Sequence, residues 1–337
     1  MVSTPLAERT LLMRTQESSE GTSSSSIAHR KEGKPIVIGA SHEIPSVALL
    51  DGKHVVSGDV TGKIRCWRIE DGGQVGTPMD AGGPVLNIAV SRDGKWIVSG
   101  TGSGLVRVWN AESHSKVTGF IAHRGWVSTV DVSPDGTKIA TGSDDKTACV
   151  WSLSTSKLLF SRLKHIHWVL AAKFSPDGCL VATATRQSIR VYDSQNGSFL
   201  VEFKFPVQAR SKSQSFAWAS DSKQLFTLSH HGDILRVDVS TGTRLSQWRI
   251  HSNQDAGPIT LVGDDTFIAT FAGSSVSFWD TTSQEQIGTV VECTHEVVSM
   301  VVSSNHDLVA CGDKRITLRT LYGILPSHYI DNVSVSA

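Results

Sequence analysis

Seven turns at a near-constant spacing constrain this chain more than any other feature. Asp51-Gly52-Lys53, Asp93-Gly94-Lys95, Asp135-Gly136-Thr137-Lys138 and Asp177-Gly178 lie 42 residues apart. Weaker copies follow at Asp221-Ser222-Lys223, Asp264-Asp265-Thr266 and Asn305-His306-Asp307, at gaps of 44, 43 and 41. Asp-Gly between apolar runs is a hairpin signal, because both residues tolerate the positive φ of a tight turn. A fixed period of this length means stacked copies of one supersecondary unit.

Each turn is followed by a short β-branched run, such as Trp96-Ile97-Val98-Ser99 or Leu180-Val181-Ala182-Thr183. A Gly- or Ser-rich turn and an alternating strand come next, as in Val106-Arg107-Val108-Trp109 and Ile189-Arg190-Val191-Tyr192. No helical period intervenes, so the reading is all-β, with four strands per repeat.

Composition supports one large core: 39% of residues are hydrophobic and 19% charged. Lys+Arg and Asp+Glu are equal at 32 each, which excludes a global basic field for nucleic acid or membrane. The five cysteines are odd in number and lack C-x-x-C spacing, so they read as small strand residues in a reducing compartment. No apolar run suits a transmembrane helix or a signal peptide, and an intracellular location, cytoplasmic or nuclear, is expected. Residues 1–34, with Ser18, Ser19 and Ser23 to Ser26, are too polar to offset their ordering entropy and read as a disordered tail.

Residues 35–322 resemble WD-repeat β-propellers. The third-strand aromatic recurs at Trp67, Trp109, Trp151, Tyr192 and Trp279, and the Trp-Asp dipeptide survives as Trp279-Asp280. A histidine precedes the first strand at His42, His123, His165 and His295. The resemblance implies seven blades, with the strand around Pro35-Ile36-Val37-Ile38 closing the ring in the last blade and residues 323–337 left as a C-terminal tail. It also implies a hydrogen-bonded network of His123, Thr141, Asp145 and Trp151 that locks the third blade. The aspartate of that network gives way to Thr61, Ser103, Arg186, His231 and Gly273 elsewhere, with Asp313 retained.

Catalytic patterns are missing. Gly58 to Lys63 is one residue short of a phosphate loop, and Gly100-Thr101-Gly102-Ser103-Gly104 falls on a hairpin turn. The histidines lack cysteine or carboxylate partners at ligand spacing, so neither a metal nor another cofactor is expected. Function is therefore expected at a surface. The resemblance implies a narrow binding face built from Arg124, Trp126, Asp144, His167, Trp168, Arg186 and His230. Trp126 and Trp168 sit one repeat apart, beside Ile44, Pro84 and Val297 as the corresponding residues of other repeats, and Trp and Arg dominate interface hot spots. The chain reads as a non-catalytic scaffold in a multiprotein complex, binding proteins or peptides. The alternative is a reader of a phospho- or methyl-peptide, such as a substrate receptor.

Overall fold

Each of the first five turns joins the first two strands of a four-stranded antiparallel sheet. The aspartate does the work locally. Asp51 accepts the backbone N–H of Lys53 and His54 at 3.0 and 2.9 Å, and Asp93, Asp135 and Asp177 repeat the bond to Lys95, Thr137 and Cys179. The glycine that follows holds φ near +70°, at Gly52, Gly94, Gly136 and Gly178, where a side chain would be strained.

The computed structural model describes residues 35–204, 216–228, 232–250, 259–262, 265–303, 307–312 and 314–330. The expected Ser-rich tail and residues 331–337 lie outside them. Among the described residues, seven four-stranded sheets follow one another along the chain. The third comprises Val127–Val132, Lys138–Ser143, Thr147–Ser152 and Leu163–Lys164. The fourth comprises Ala171–Phe174, Leu180–Ala184, Ser188–Asp193 and Phe199–Lys204. The seventh takes Ser299–Val302, Asp307–Gly312 and Arg315–Thr320 from the last repeat and its outer strand, Ile36–Gly39, from the beginning of the described chain. That strand runs antiparallel to Arg315–Thr320, with Ile36 opposite Leu318 and Gly39 opposite Arg315.

The core lies between sheets. Val55 and Trp67 of the first sheet pack with Ile38, Ile316 and Leu318 of the seventh, so the last sheet meets the first and the ring closes. Further apolar clusters fill the other gaps, for example Val130, Ile139 and Trp151 against Val98 and Val108. The innermost strands are also tied to one another by a recurring bond. Ser299 Oγ accepts Val47 N–H, Ser46 Oγ accepts Ile88 N–H, Asn87 Oδ1 accepts Val130 N–H and Thr129 Oγ1 accepts Ala172 N–H, at 2.9–3.4 Å. Sheets meet so closely here that a Cβ on Gly142 would stand 2.6 Å from Val169 Cγ1. Only glycine fits.

One strand is short, and one segment differs from the sequence reading. The outer strand of the third sheet is only Leu163–Lys164; ahead of it Leu158 bridges Trp151 and Leu159 N–H donates to Val150 O at 2.9 Å, while Phe160 lies against Gly197 of the next sheet. Residues 323–330, assigned to the C-terminal tail, are packed instead. Leu325 and Ile330 join the apolar cluster between the sixth and seventh sheets, and the Tyr329 hydroxyl donates to Asp280 Oδ2 at 2.6 Å. The apolar spacing of Leu321, Ile324, Leu325 and Ile330 explains this anchoring. Among the described residues no helix is long and apolar enough to cross a membrane.

Candidate partner-binding face

The structure brings the four network residues of the third repeat together. Trp151 Nε1–H donates to Thr141 Oγ1 at 2.9 Å, and His123 Nε2 meets the same oxygen at 2.7 Å. His123 Nδ1 faces Asp145 Oδ2 at 3.1 Å, and Asp145 also accepts the backbone N–H of Arg124 and Thr147. Burial pushes the Asp145 carboxyl up. The bonds from His123, Thr147 and Arg124 outweigh it and hold the group well below the usual carboxylate range. Each buried polar atom here has a partner, so the loop leading into the sheet is clamped to its second turn.

Other repeats replace this network. In the first, His42 is exposed and takes no such place; Asp59, which the sequence pattern did not single out, is buried instead. It pairs with Arg65 and accepts the backbone N–H of Thr61 and Lys63. In the fourth, His165 is buried and its Nε2 stands 3.3 Å from Thr183 Oγ1, but its Nδ1 makes no hydrogen bond. Between the last paired residues of the second and third strands lie four residues, against five in the third sheet, and counted back from the third strand Arg186 takes the position of Asp145. Burial, reinforced by Arg190, pushes the His165 imidazole down to about 4.

The loops leading into the third and fourth sheets and the second turns of those sheets form one face. Asp144 N–H donates to Trp126 O at 3.1 Å, joining loop and turn. Trp126 and Trp168 are 50% and 48% exposed, unusual for indoles, while Val127 and Val169 beside them are fully buried. Arg186 lies over the Trp168 ring at 5.8 Å, His167 Nε2 meets Gln187 Oε1 at 2.9 Å, and Asp144 Oδ1 accepts Ser128 Oγ–H. Arg124 is exposed on the same loop as Trp126. His230 lies outside the described residues.

The backbone bonds correct the correspondence between repeats. Val60 N–H to Glu43 O and Gly102 N–H to Pro84 O match Asp144 N–H to Trp126 O. Likewise Val297 N–H to Gly273 O matches Val169 N–H to Ser143 O. Ile44 and Val297, expected at the tryptophan position, therefore fill the buried valine position, one residue on. The exposed position holds Glu43, Pro84, Trp126, Trp168 and Glu296. The sequence period alone does not separate these two adjacent positions.

Sequence reasoning also missed Lys146. It holds φ at +66°, where the first and second sheets use Gly62 and Gly104 at +90° and +80°. With His167, Trp168 and Arg186 it lines a cavity of about 250 Å³ between the third and fourth sheets. A second cavity of about 320 Å³ includes His165, His167, Arg190, Glu202 and Lys204. No group of three or more His, Cys, Asp or Glu able to hold a metal ion occurs among the described residues. Cys66, Cys149 and Cys293 are buried and Cys179 is exposed in its hairpin turn; burial pushes the Cys66 and Cys149 thiols up to about 11.

Comparison with known proteins fits this geometry. The profile of the WD domain, G-beta repeat (WD40), matches residues 74–110, 114–152 and 157–193. The fold is similar to the crystal structure of the WD40 beta propeller domain of Doa1, with a TM-score of 0.71 over 85% of this chain and 95% of that one, at 19% sequence identity. None of the curated proteins matches the sequence. The chain folds as an all-β propeller, and three of its repeats, within residues 74–193, match the WD40 profile.

Proposed function

We propose that this propeller is a seven-bladed, non-catalytic interaction scaffold of the cell interior that docks protein or peptide partners on the face around Trp126 and Trp168. WD40 propellers generally serve as platforms for other proteins, and fold alone does not choose the partner. The observation that carries the reading is the exposure of two tryptophans at one repeat position, on loops whose backbone is held by the sheet beneath. A rigid aromatic loses little entropy on contact, and such residues supply most of the energy of an interface.

The test is a quantitative affinity capture comparing wild type with Trp126→Ala/Trp168→Ala, both checked for folding by their melting curves. Truncating a true anchor costs about 2 kcal/mol or more, roughly thirtyfold in affinity. Selective loss of a set of partners supports the face as the docking site. Retention of every partner refutes it.

A further inference from the structure

We infer that the cavities of the third and fourth sheets take an acidic peptide segment, the Asp or Glu side chains of a partner protein. The inference rests on the docking reading above and assigns the ligand its charge. In the third sheet a carboxylate of the chain itself, Asp145, fills the turn position six residues before Trp151. Six residues before Tyr192, the fourth sheet has Arg186. The charge at that turn position is reversed, and the guanidinium lies over the Trp168 ring.

Lys146 adds a second cation to the same cavity, at a turn position that the first two sheets give to glycine. The neighbouring cavity shares His167 and brings Arg190 and Lys204. Across both cavities four cations face one carboxylate, Glu202, and that carboxylate is engaged by Arg190 Nε–H at 2.8 Å. Buried beside them, His165 presents an Nδ1 without a hydrogen bond where His123 Nδ1 meets a carboxylate. Charge-assisted bonds from a guanidinium and an ammonium are the strong means of holding a carboxylate. The half-exposed Trp168 ring supplies an apolar floor for the methylenes of the same side chains.

Among the described residues the tryptophan position elsewhere carries Glu43, Pro84 and Glu296, and the two glutamates repel an acidic segment, which favours the third and fourth sheets over the first and seventh. The same cations disfavour a methylated lysine. Two adjacent cavities suit a run of acidic residues better than a single charged group.

The experiment uses the full chain on arrays of short degenerate peptides with fixed positions of Glu, Gln, phosphoserine or Lys. Wild type should retain the Glu array about tenfold better than the Gln array, since one charge-assisted bond is worth about that factor. Lys146→Gly, which restores the glycine of the first two sheets and so keeps the fold, and Arg186→Gln should each reduce that preference severalfold. A charge-reversed Arg186→Glu should move retention towards the Lys array. Equal retention of Glu and Gln overturns the inference, as does retention of the phosphoserine array alone. Loss of partners from the tryptophan variant without any Glu preference leaves the docking face standing and removes only its acidic ligand. A Glu preference that survives the tryptophan variant removes the docking reading instead.

Discussion

His165 stands 3.3 Å from the Thr183 hydroxyl, repeating one sheet later the pairing of His123 with Thr141, but without the carboxylate that completes the earlier network. The imidazole is consequently neutral in the fold and falls to about 4. In the unfolded chain it titrates near 6.5. Between those values the unfolded state binds more protons, so stability rises with pH across the window and is lost as pH falls from about 6.5 to about 4. Urea unfolding at several pH values should show His165→Gln flattening this slope, by about 2 kcal/mol over the window. An unchanged slope would mean that His165 is not the buried titrating group.

Asp145 has the opposite sign. Its folded carboxyl lies below the unfolded value of 3.8, so its contribution is present above about 4 and declines as pH falls through the folded range. Asp145→Asn should cost about 2 kcal/mol at neutral pH, the scale of a charged hydrogen bond. The gap from wild type should narrow steadily below about pH 4. A gap independent of pH would contradict the charged network.

Lys146→Gly should stabilise the protein by about 1 kcal/mol, because a side chain held at positive φ pays a steric cost that glycine does not. Chemical denaturation gives the sign directly. A destabilised variant would mean that Lys146 makes contacts worth more than its strain.

Gly142→Ala should destabilise by about 1–3 kcal/mol, since the new methyl meets Val169 Cγ1 and Thr129 Cγ2 at 2.6 and 2.7 Å. Val169→Ala should recover part of that loss in the double variant. Additive losses would show that the clash is elsewhere.

Deleting residues 35–40 should lower the melting temperature and promote association, because the strand Ile36–Gly39 covers the edge of Arg315–Thr320. A protein that melted unchanged would show that this pairing contributes nothing to the ring.

The repeat and its strands were legible because the Asp-Gly turns mark a period that backbone chemistry enforces. The network of His123, Thr141, Asp145 and Trp151 was legible only through resemblance, since nothing in spacing alone says that four residues over 29 positions touch. What escaped the sequence depends on single-residue offsets. Ile44 and Glu43 differ by one position yet face opposite ways, and only the bond from Val60 N–H to Glu43 O tells them apart. Lys146 escaped because a lysine in a turn reads as solvated surface, while its cavity exists only once the fourth sheet supplies Arg186 and Trp168.

The pairing of Ile36 with Leu318 joins residues nearly the whole chain apart. During synthesis the first strand of the propeller to leave the ribosome is the last to find its partner, because the strand it needs is made only at the end. Until then one sheet edge stays open at each end of the growing arc, and both are templates for strand addition. Such long-range closure is slow. The same strand that abolishes free edges in the finished ring thus creates a waiting period during synthesis, in which residues 35–40 are the segment most in need of shielding.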